Sequence, residues 1–265
     1  MPPTLLDTSA RKRGSAWGKP DRTQCERQWN DIAKLRHEQI ESGLDIKQRT
    51  VLLPLMLALC RNSNRTRVLD VGCGSGHLSR ALAPLSEWVD AIDISDVAVT
   101  LGEDDSPGVN NLTFHHQPVE HFQAEIPATL VVANMSVMTI LDLESALQQI
   151  FSNMAPGGRF VFTIPCPKKW AQHLGYFYEP WFEEERAMVV DWAYRLSSME
   201  DSGPVVSHVY RPWKQYVALL REAGFVLEAV HLPSSHLPLD RSCPSAAGDS
   251  RLLAVACRRP TEEVA

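Results

Sequence analysis

Short apolar runs alternate with longer stretches of helical spacing through most of this chain. Val68, Leu69 and Val71 form a run with β-branched residues, which predicts a buried strand. After it, Leu78, Ala81 and Leu82 recur at helical spacing and predict a helix over 77–83. The rhythm then repeats. Strands are predicted at 88–94, 112–116, 128–133, 160–164, 225–232 and 251–257, and helices at 143–154 and 213–223. Strands that alternate with helices specify a parallel sheet covered on both faces. Two further helices are predicted ahead of the first strand. One spans 23–42 with Trp29, Ile32, Ala33 and His37 on one side, and the other runs from a cap at Asp45 to Cys60 with a break at Pro54.

The turn after the first strand carries Gly72, Gly74 and Gly76 at alternate positions. Glycine there accepts a sharp turn with positive φ and lets a ligand approach the backbone. The helix behind it presents free N–H groups and a partial positive charge. A dinucleotide fingerprint is spaced GxGxxG. Here the spacing is GxGxG, and Asp70 precedes it by two residues. A carboxylate at that place repels a pyrophosphate and suits a ligand with a cationic amino group.

The run DVGCGSG, from Asp70 to Gly76, resembles the first motif of the class I, Rossmann-like, S-adenosylmethionine-dependent methyltransferases. Further motifs follow in the same order, and the resemblance covers about residues 23–258. It implies an α/β fold, a doubly wound, seven-stranded, mostly parallel sheet, with N-terminal helices and a helical cap insertion. It implies S-adenosylmethionine as cofactor, bound by Asp70, Gly72, Cys73, Gly74 and Gly76. Asp93 and Ile94, at the end of the second strand, fall where the family holds the ribose. Gln117, Pro118 and Val119 fall at the adenine position. The family commonly has an Asp where Gln117 stands, and the Gln carbonyl still accepts from an amine. Asn134, Met135 and Ser136 resemble the fourth motif, at the carboxyl end of the central strand, near the transferable methyl. MAPGG, from Met154 to Gly158, matches the turn that precedes the fifth strand. The organisation implied is a tail over 1–22, lid helices over 23–60, a cofactor-binding core over 61–164, a substrate cap over 165–210, the rest of the core over 211–258 and a tail over 259–265.

The cap region leaves the sheet rhythm and gathers aromatic residues, among them Trp170, Tyr176, Trp181, Trp192 and Tyr210. Acids at Glu179, Glu183, Glu184, Glu185 and Asp191 are interleaved with them. Aromatic walls with a few polar groups make a ligand pocket and hold an amine or ring by stacking and cation–π contact. The expected acceptor is therefore a small molecule, a secondary metabolite or metabolic intermediate, methylated on N or O. His173, His208 and Tyr210 are the candidates for a deprotonating group, with Glu179 beside them. A protein acceptor, a non-catalytic cofactor-binding protein and a nicotinamide oxidoreductase are the competing readings.

Composition narrows the partners. The net charge is −6 with no long basic run, which argues against a nucleic-acid partner. No apolar run approaches the length of a membrane span, and no apolar segment follows the basic N-terminal patch as in a secretory signal. The six cysteines form no CxxC pair. That points to a reducing cytoplasm without a disulfide framework or a metal site.

Overall fold

A computed structural model describes residues 21–194, 204–232 and 251–261. Its centre is a sheet of seven strands: β1 Arg67–Val71, β2 Trp88–Asp93, β3 Leu112–His116, β4 Ala128–Asn134, β5 Met154–Pro165, β8 Val226–His231 and β9 Leu252–Arg258. Their order is β3-β2-β1-β4-β5-β9-β8. The first five strands run parallel, and β9 is antiparallel to both β5 and β8. The chain builds outward from β1 in one direction and restarts at β4 in the other. The crevice between the carboxyl ends of β1 and β4 is thus the switch point where open α/β sheets take ligands.

The strands are apolar because both faces are covered. On one face Leu69, Ile92, Val131, Phe160 and Phe162 pack with Leu147 and Ile150 of α5 (Leu143–Ser152) and Tyr216 and Leu220 of α7 (Trp213–Glu222). On the other, Val68, Val89, Leu130, Val132 and Val161 meet Met56 and Cys60 of α2 (Leu53–Cys60) and Leu78 and Leu82 of α3 (His77–Leu82). Neighbouring residues of one strand serve opposite cores, as the pleat requires.

The N-terminal helices form where the pattern places them. α1, Arg22–Glu41, is capped by Asp21, which accepts from the Gln24 N–H at 2.7 Å. It packs against α4 (Asp96–Asp104), which Ser95 caps through the Ala98 N–H. Asp45 caps the next helix by accepting from the Gln48 N–H. That helix widens into a π-turn at Gln48–Leu52 before α2. Pro54 has no N–H to return to the Thr50 carbonyl, which accounts for the widening at this point.

Two elements differ from expectation. The predicted turn at Pro156-Gly157-Gly158 is instead the irregular start of β5. This strand pairs Met154 with Ala128 and then shifts register, with Gly157 at φ 77°. The cap insertion is helical only in its first part, α6 (Pro167–Leu174), which Gly175 ends at φ 84°. After a turn at Tyr176–Tyr178 it becomes an antiparallel ribbon of β6 (Met188–Ala193) and β7 (Val205–Tyr210). Val189 and Val190 face Val209 and His208 there, and β-branched neighbours favour extended pairing. Ala171, Leu174, Tyr176, Val190 and Tyr210 form a small core separate from the two beside the sheet. The predicted tail over 1–22 lies outside the described residues up to position 20. The predicted loop after β8 lies outside them from 233 to 250, and the C-terminal tail from 262.

Candidate cofactor and acceptor site

The glycine loop leaves β1 at the switch point. Gly72, Gly74 and Gly76 all have positive φ, at 68°, 56° and 77°. They differ in what surrounds them. A Cβ on Gly72 would lie 2.4 Å from the Ser136 Cβ, and one on Gly76 would lie 2.5 Å from the Phe114 ring. A Cβ on Gly74 would meet nothing within 4 Å. Gly72 and Gly76 are thus demanded by packing as well as by turn geometry. Gly74 alone borders the free space a ligand needs. The Gly72 and Cys73 amides donate to the Ile92 carbonyl, which ties the loop to β2. The Cys73 thiol lies against the Gly74 carbonyl, and burial pushes it well above the usual thiol range, so it stays protonated.

Asp93 ends β2 and faces the loop. One carboxylate oxygen accepts from the Gly74 N–H at 2.8 Å and the other from the Ser95 N–H at 2.8 Å. Burial raises its pKa, and these amide donors hold it down in opposition. Ile94 follows half-buried, its carbonyl beside the His116 ring. The Gln117 amide donates to the Asp93 carbonyl, which sets Gln117 and Pro118 at the same edge. Val119 is buried in the main core with Leu69 and Ile92, and its side chain serves packing.

Asp70 is 1% exposed and accepts a 2.6 Å hydrogen bond from the Ser79 hydroxyl on α3. Burial, opposed by that hydrogen bond and aided by the charge of Asp93, pushes its pKa up to about 7. Beside the loop, α1 contributes His37 and Glu41. His37 hydrogen-bonds Ser75, while Glu41 pairs with Arg80 at 3.1 Å and lies 3.2 Å from the His77 ring. Arg80 also donates to the Ser75 carbonyl. The cation of this cluster is Arg80 itself, and the group clasps α1 to the loop.

Across the crevice, the chain leaves β4 through Asn134, Met135 and Ser136. Met135 has φ 59°, the only positive φ outside glycine among the described residues. Its amide donates to Thr163, whose hydroxyl donates to Asn134 Oδ1 at 2.7 Å. Such a conformation is costly and is found where surrounding structure over-determines it, often at a site. Ser136 donates to the Val71 carbonyl at 2.6 Å and closes against Gly72.

Next to this segment is a small, half-open recess lined by Met138, Trp170, Tyr176, His208, Tyr210, Arg211 and their neighbours. It separates the three candidate catalytic residues. His208 lines it, with its ring 3.4 Å from the Tyr176 hydroxyl, and burial lowers its pKa to about 4. Tyr210 also borders it, but its hydroxyl donates to the Glu184 carbonyl at 2.9 Å, and burial lifts its pKa to about 12. Tyr210 is therefore a packing residue and not the base expected of it. His173 is exposed on α6, stacked near Trp170 with its ring 2.7 Å from Arg251, and is not part of the recess lining. The interleaved acids also turn elsewhere. Glu183 pairs with Arg186, Glu184 with Lys168 and Glu185 with Lys214, and none of them lines the recess.

A family model described as a methyltransferase domain matches residues 44–230. The chain belongs to this family. Methyltransferases of its S-adenosylmethionine-dependent class share the fold at low identity. One from Clostridium acetobutylicum superposes with a TM-score of 0.59 at 15% identity, over 88% of this chain and 99% of that one. The N-methyltransferase NodS from Bradyrhizobium japonicum, solved with S-adenosylhomocysteine, superposes at 0.53 and 16% identity, over 81% and 87%. The chain is also 30% identical over 128 residues to the malonyl-[acyl-carrier protein] O-methyltransferase of Salmonella typhimurium, covering 48% of this methyltransferase chain and 49% of that one. That match spans about half the length of the curated relative. S-adenosylmethionine is the cofactor of the family, and the space beside Gly74 with the Asp93 carboxylate at its edge fits it. Thr163, Ser75 and Arg211 support the Met135 turn, the glycine loop and the recess without a motif to announce them. Each is a single polar residue within an apolar or mixed run, and only the fold gives it a partner.

Proposed function

We propose that this protein transfers a methyl group from S-adenosylmethionine to N or O of a small molecule, a secondary metabolite or metabolic intermediate. The observation that carries the reading is the position of the aromatic recess beside the strained Met135 turn at the carboxyl edge of β4. Met138 of the recess follows by two residues Ser136, which closes against Gly72 of the glycine loop, so an acceptor seated there would face the reacting end of the cofactor. The relative named as an O-methyltransferase supports oxygen as the acceptor atom.

When bound, the cofactor supplies an electrophilic methyl group on a sulfonium. The protein's own task is then mainly alignment, which is worth up to ~7–11 kcal/mol of a barrier. Gly74 would give room to the ligand, and Asp93 would accept from its ribose hydroxyls. Gln117 would accept from its adenine amine, and Asn134 to Ser136 would wall the reacting end. Trp170 and Tyr176 would hold the acceptor. His208 is neutral near pH 7 and faces any acceptor hydroxyl or ammonium that must lose a proton. An acceptor that arrives as an anion needs no base.

No described helix is long and apolar enough to cross a membrane. Cys25, Cys60, Cys73, Cys166 and Cys257 are free thiols, which supports a cytoplasmic location. The test is calorimetric titration with S-adenosylhomocysteine, with NAD in a parallel cell, followed by acceptor screening with a labelled methyl donor. Saturable binding of the first, lost in Asp93→Ala, is the expected result. Binding of NAD alone would overturn the proposal, and cofactor binding without turnover of any acceptor would favour a non-catalytic role.

A further inference from the structure

The recess has one ionic group. Arg211 is 4% exposed and follows β7 directly. Its Nη2 donates to the Ile140 and Leu141 carbonyls at 2.6 and 2.9 Å. Its Nη1 is buried and makes no hydrogen bond. A guanidinium carries five N–H donors in a planar fork, and a buried donor left unpaired is costly. The two carbonyls hold this group in place, and the Tyr216 side chain, also in the recess lining, lies beside it. The carboxylate that acts on it is Asp142, which forms no ion pair with it and whose oxygens are engaged at the start of α5 with the Ser145 amide and hydroxyl. The remaining lining is aromatic, aliphatic or neutral, and no carboxylate side chain faces inward among the described residues.

A cationic acceptor would therefore meet a like charge in this recess, whereas an anionic one would complete the fork. Carboxylate matches a guanidinium in plane and spacing. We propose that the recess takes acceptors that carry a carboxylate, and that Arg211 binds it. The inference rests on the reading of this recess as the acceptor site of a methyltransferase. It names the substrate class and the residue that selects it. The aromatic walls of Trp170 and Tyr176 add a preference for a ring at the other end of the molecule.

The test uses three probes of one shape. Phenylacetate, phenylacetamide and phenethylamine share a ring and reach and differ in the charge of the end group. Each is titrated into the full-length protein saturated with S-adenosylhomocysteine. Phenylacetate is expected to bind about tenfold tighter than the amide, with the amine weakest, as a charge-assisted pair with a buried guanidinium requires. In Arg211→Gln the ratio of acid to amide should fall to about one, and in Arg211→Lys it should partly return. If Arg211→Gln fails to fold because Ile140 and Leu141 lose their donor, the wild-type series and Arg211→Lys still decide. Equal binding of the three probes, tightest binding of the amine, absence of phenylacetate binding at millimolar concentration, or an acid preference that survives Arg211→Gln would overturn the inference. S-adenosylhomocysteine is titrated alone beforehand. Its failure to bind would defeat the underlying reading, while its binding without an acid preference defeats this inference only.

Discussion

A methyl group added at each of three glycines would strike different things, and this separates fold from function residue by residue. At Gly74 it meets open space, so Gly74→Ala carries only the left-handed backbone penalty of about 1–2 kcal/mol. At Gly76 it meets the Phe114 ring at 2.5 Å, and overpacking adds about 1–3 kcal/mol to the same penalty. Thermal unfolding should therefore show Gly76→Ala as the less stable variant, while calorimetry should show Gly74→Ala as the one that loses S-adenosylhomocysteine affinity, by about tenfold or more. The GxGxG spacing was legible in the chain, but the division of labour within it was not, because Phe114 and Ser136 arrive from β3 and from the turn after β4. Titrating residues make a second residue-scale contrast. The folded protein holds the Asp70 proton up to about pH 7, and the unfolded chain releases it near 3.8. The raised pKa makes stability fall as pH rises through that window. His208 and His77 are held neutral down to about pH 4 against 6.5 unfolded, so their contribution is lost as pH falls from 6.5 towards 4. The two effects oppose each other. The stability difference between wild type and His208→Gln should narrow as pH falls from 6.5 to 4, and that between wild type and Asp70→Asn should narrow as pH rises from 4 to 7. Urea unfolding at a series of pH values measures both.

Among the elements, α1 has the widest reach. One end of its polar surface holds the cofactor loop, through His37 on Ser75 and Glu41 on Arg80. Gln28 accepts from the Ser207 amide of β7, and Gln39 accepts from the Tyr194 hydroxyl just after β6. The helix thus connects the glycine loop with the ribbon beside the aromatic recess. Its strength lies in the half-buried groups. Glu41 is 51% exposed, and exposed ion pairs contribute about 0–1 kcal/mol, so Glu41→Ala should change stability and ligand affinity little. Arg80 is 18% exposed and donates to the Ser75 carbonyl as well as to Glu41. Arg80→Gln should lower S-adenosylhomocysteine affinity by about tenfold and speed hydrogen exchange of the loop amides, since a buried carbonyl loses its donor. The two N-terminal helices were legible from apolar spacing, and the second also from its cap at Asp45. The ribbon was not. β6 and β7 are short, and their pairing is a non-local contact that local periodicity does not encode. Their aromatic content reads equally well as a helical core.

At the scale of the whole molecule, the cores beside the sheet and the core of the cap differ in how they are held. The two cores beside the sheet contain β1, β4 and β5, whose neighbours on both faces are buried and whose backbone pairs on both edges. The strands of this part were legible from the sequence because each buried strand is itself an apolar run, while their order in the sheet, β3-β2-β1-β4-β5-β9-β8, is set by non-local pairing. The cap core is small and separate, built on Tyr176, Val190 and Tyr210, and its ribbon has only two strands. A two-stranded unit has little stability of its own and depends on what it packs against. Among the described residues the polar links from cap to body include Gln28 to Ser207, Gln39 to Tyr194, Glu185 to Lys214 and Arg211 to Ile140 and Leu141. Stability is not uniform across such a structure, and regions with small cores open first. The cap should therefore open as a unit below the free energy of global unfolding, and that opening admits an acceptor to a recess whose Nη1 donor is closed to solvent at rest. Native-state hydrogen exchange tests this directly. Amides of α6, β6 and β7 should exchange together, at a lower free energy and with a smaller denaturant slope than those of β1, β4 and β5. S-adenosylhomocysteine should slow exchange at 72–76 and 93–95 more than in the ribbon, because its contacts lie on the sheet side of the crevice. Exchange of the ribbon at the global rate would mean that cap and sheet unfold as one, and acceptor entry would then require a path that leaves the cap closed.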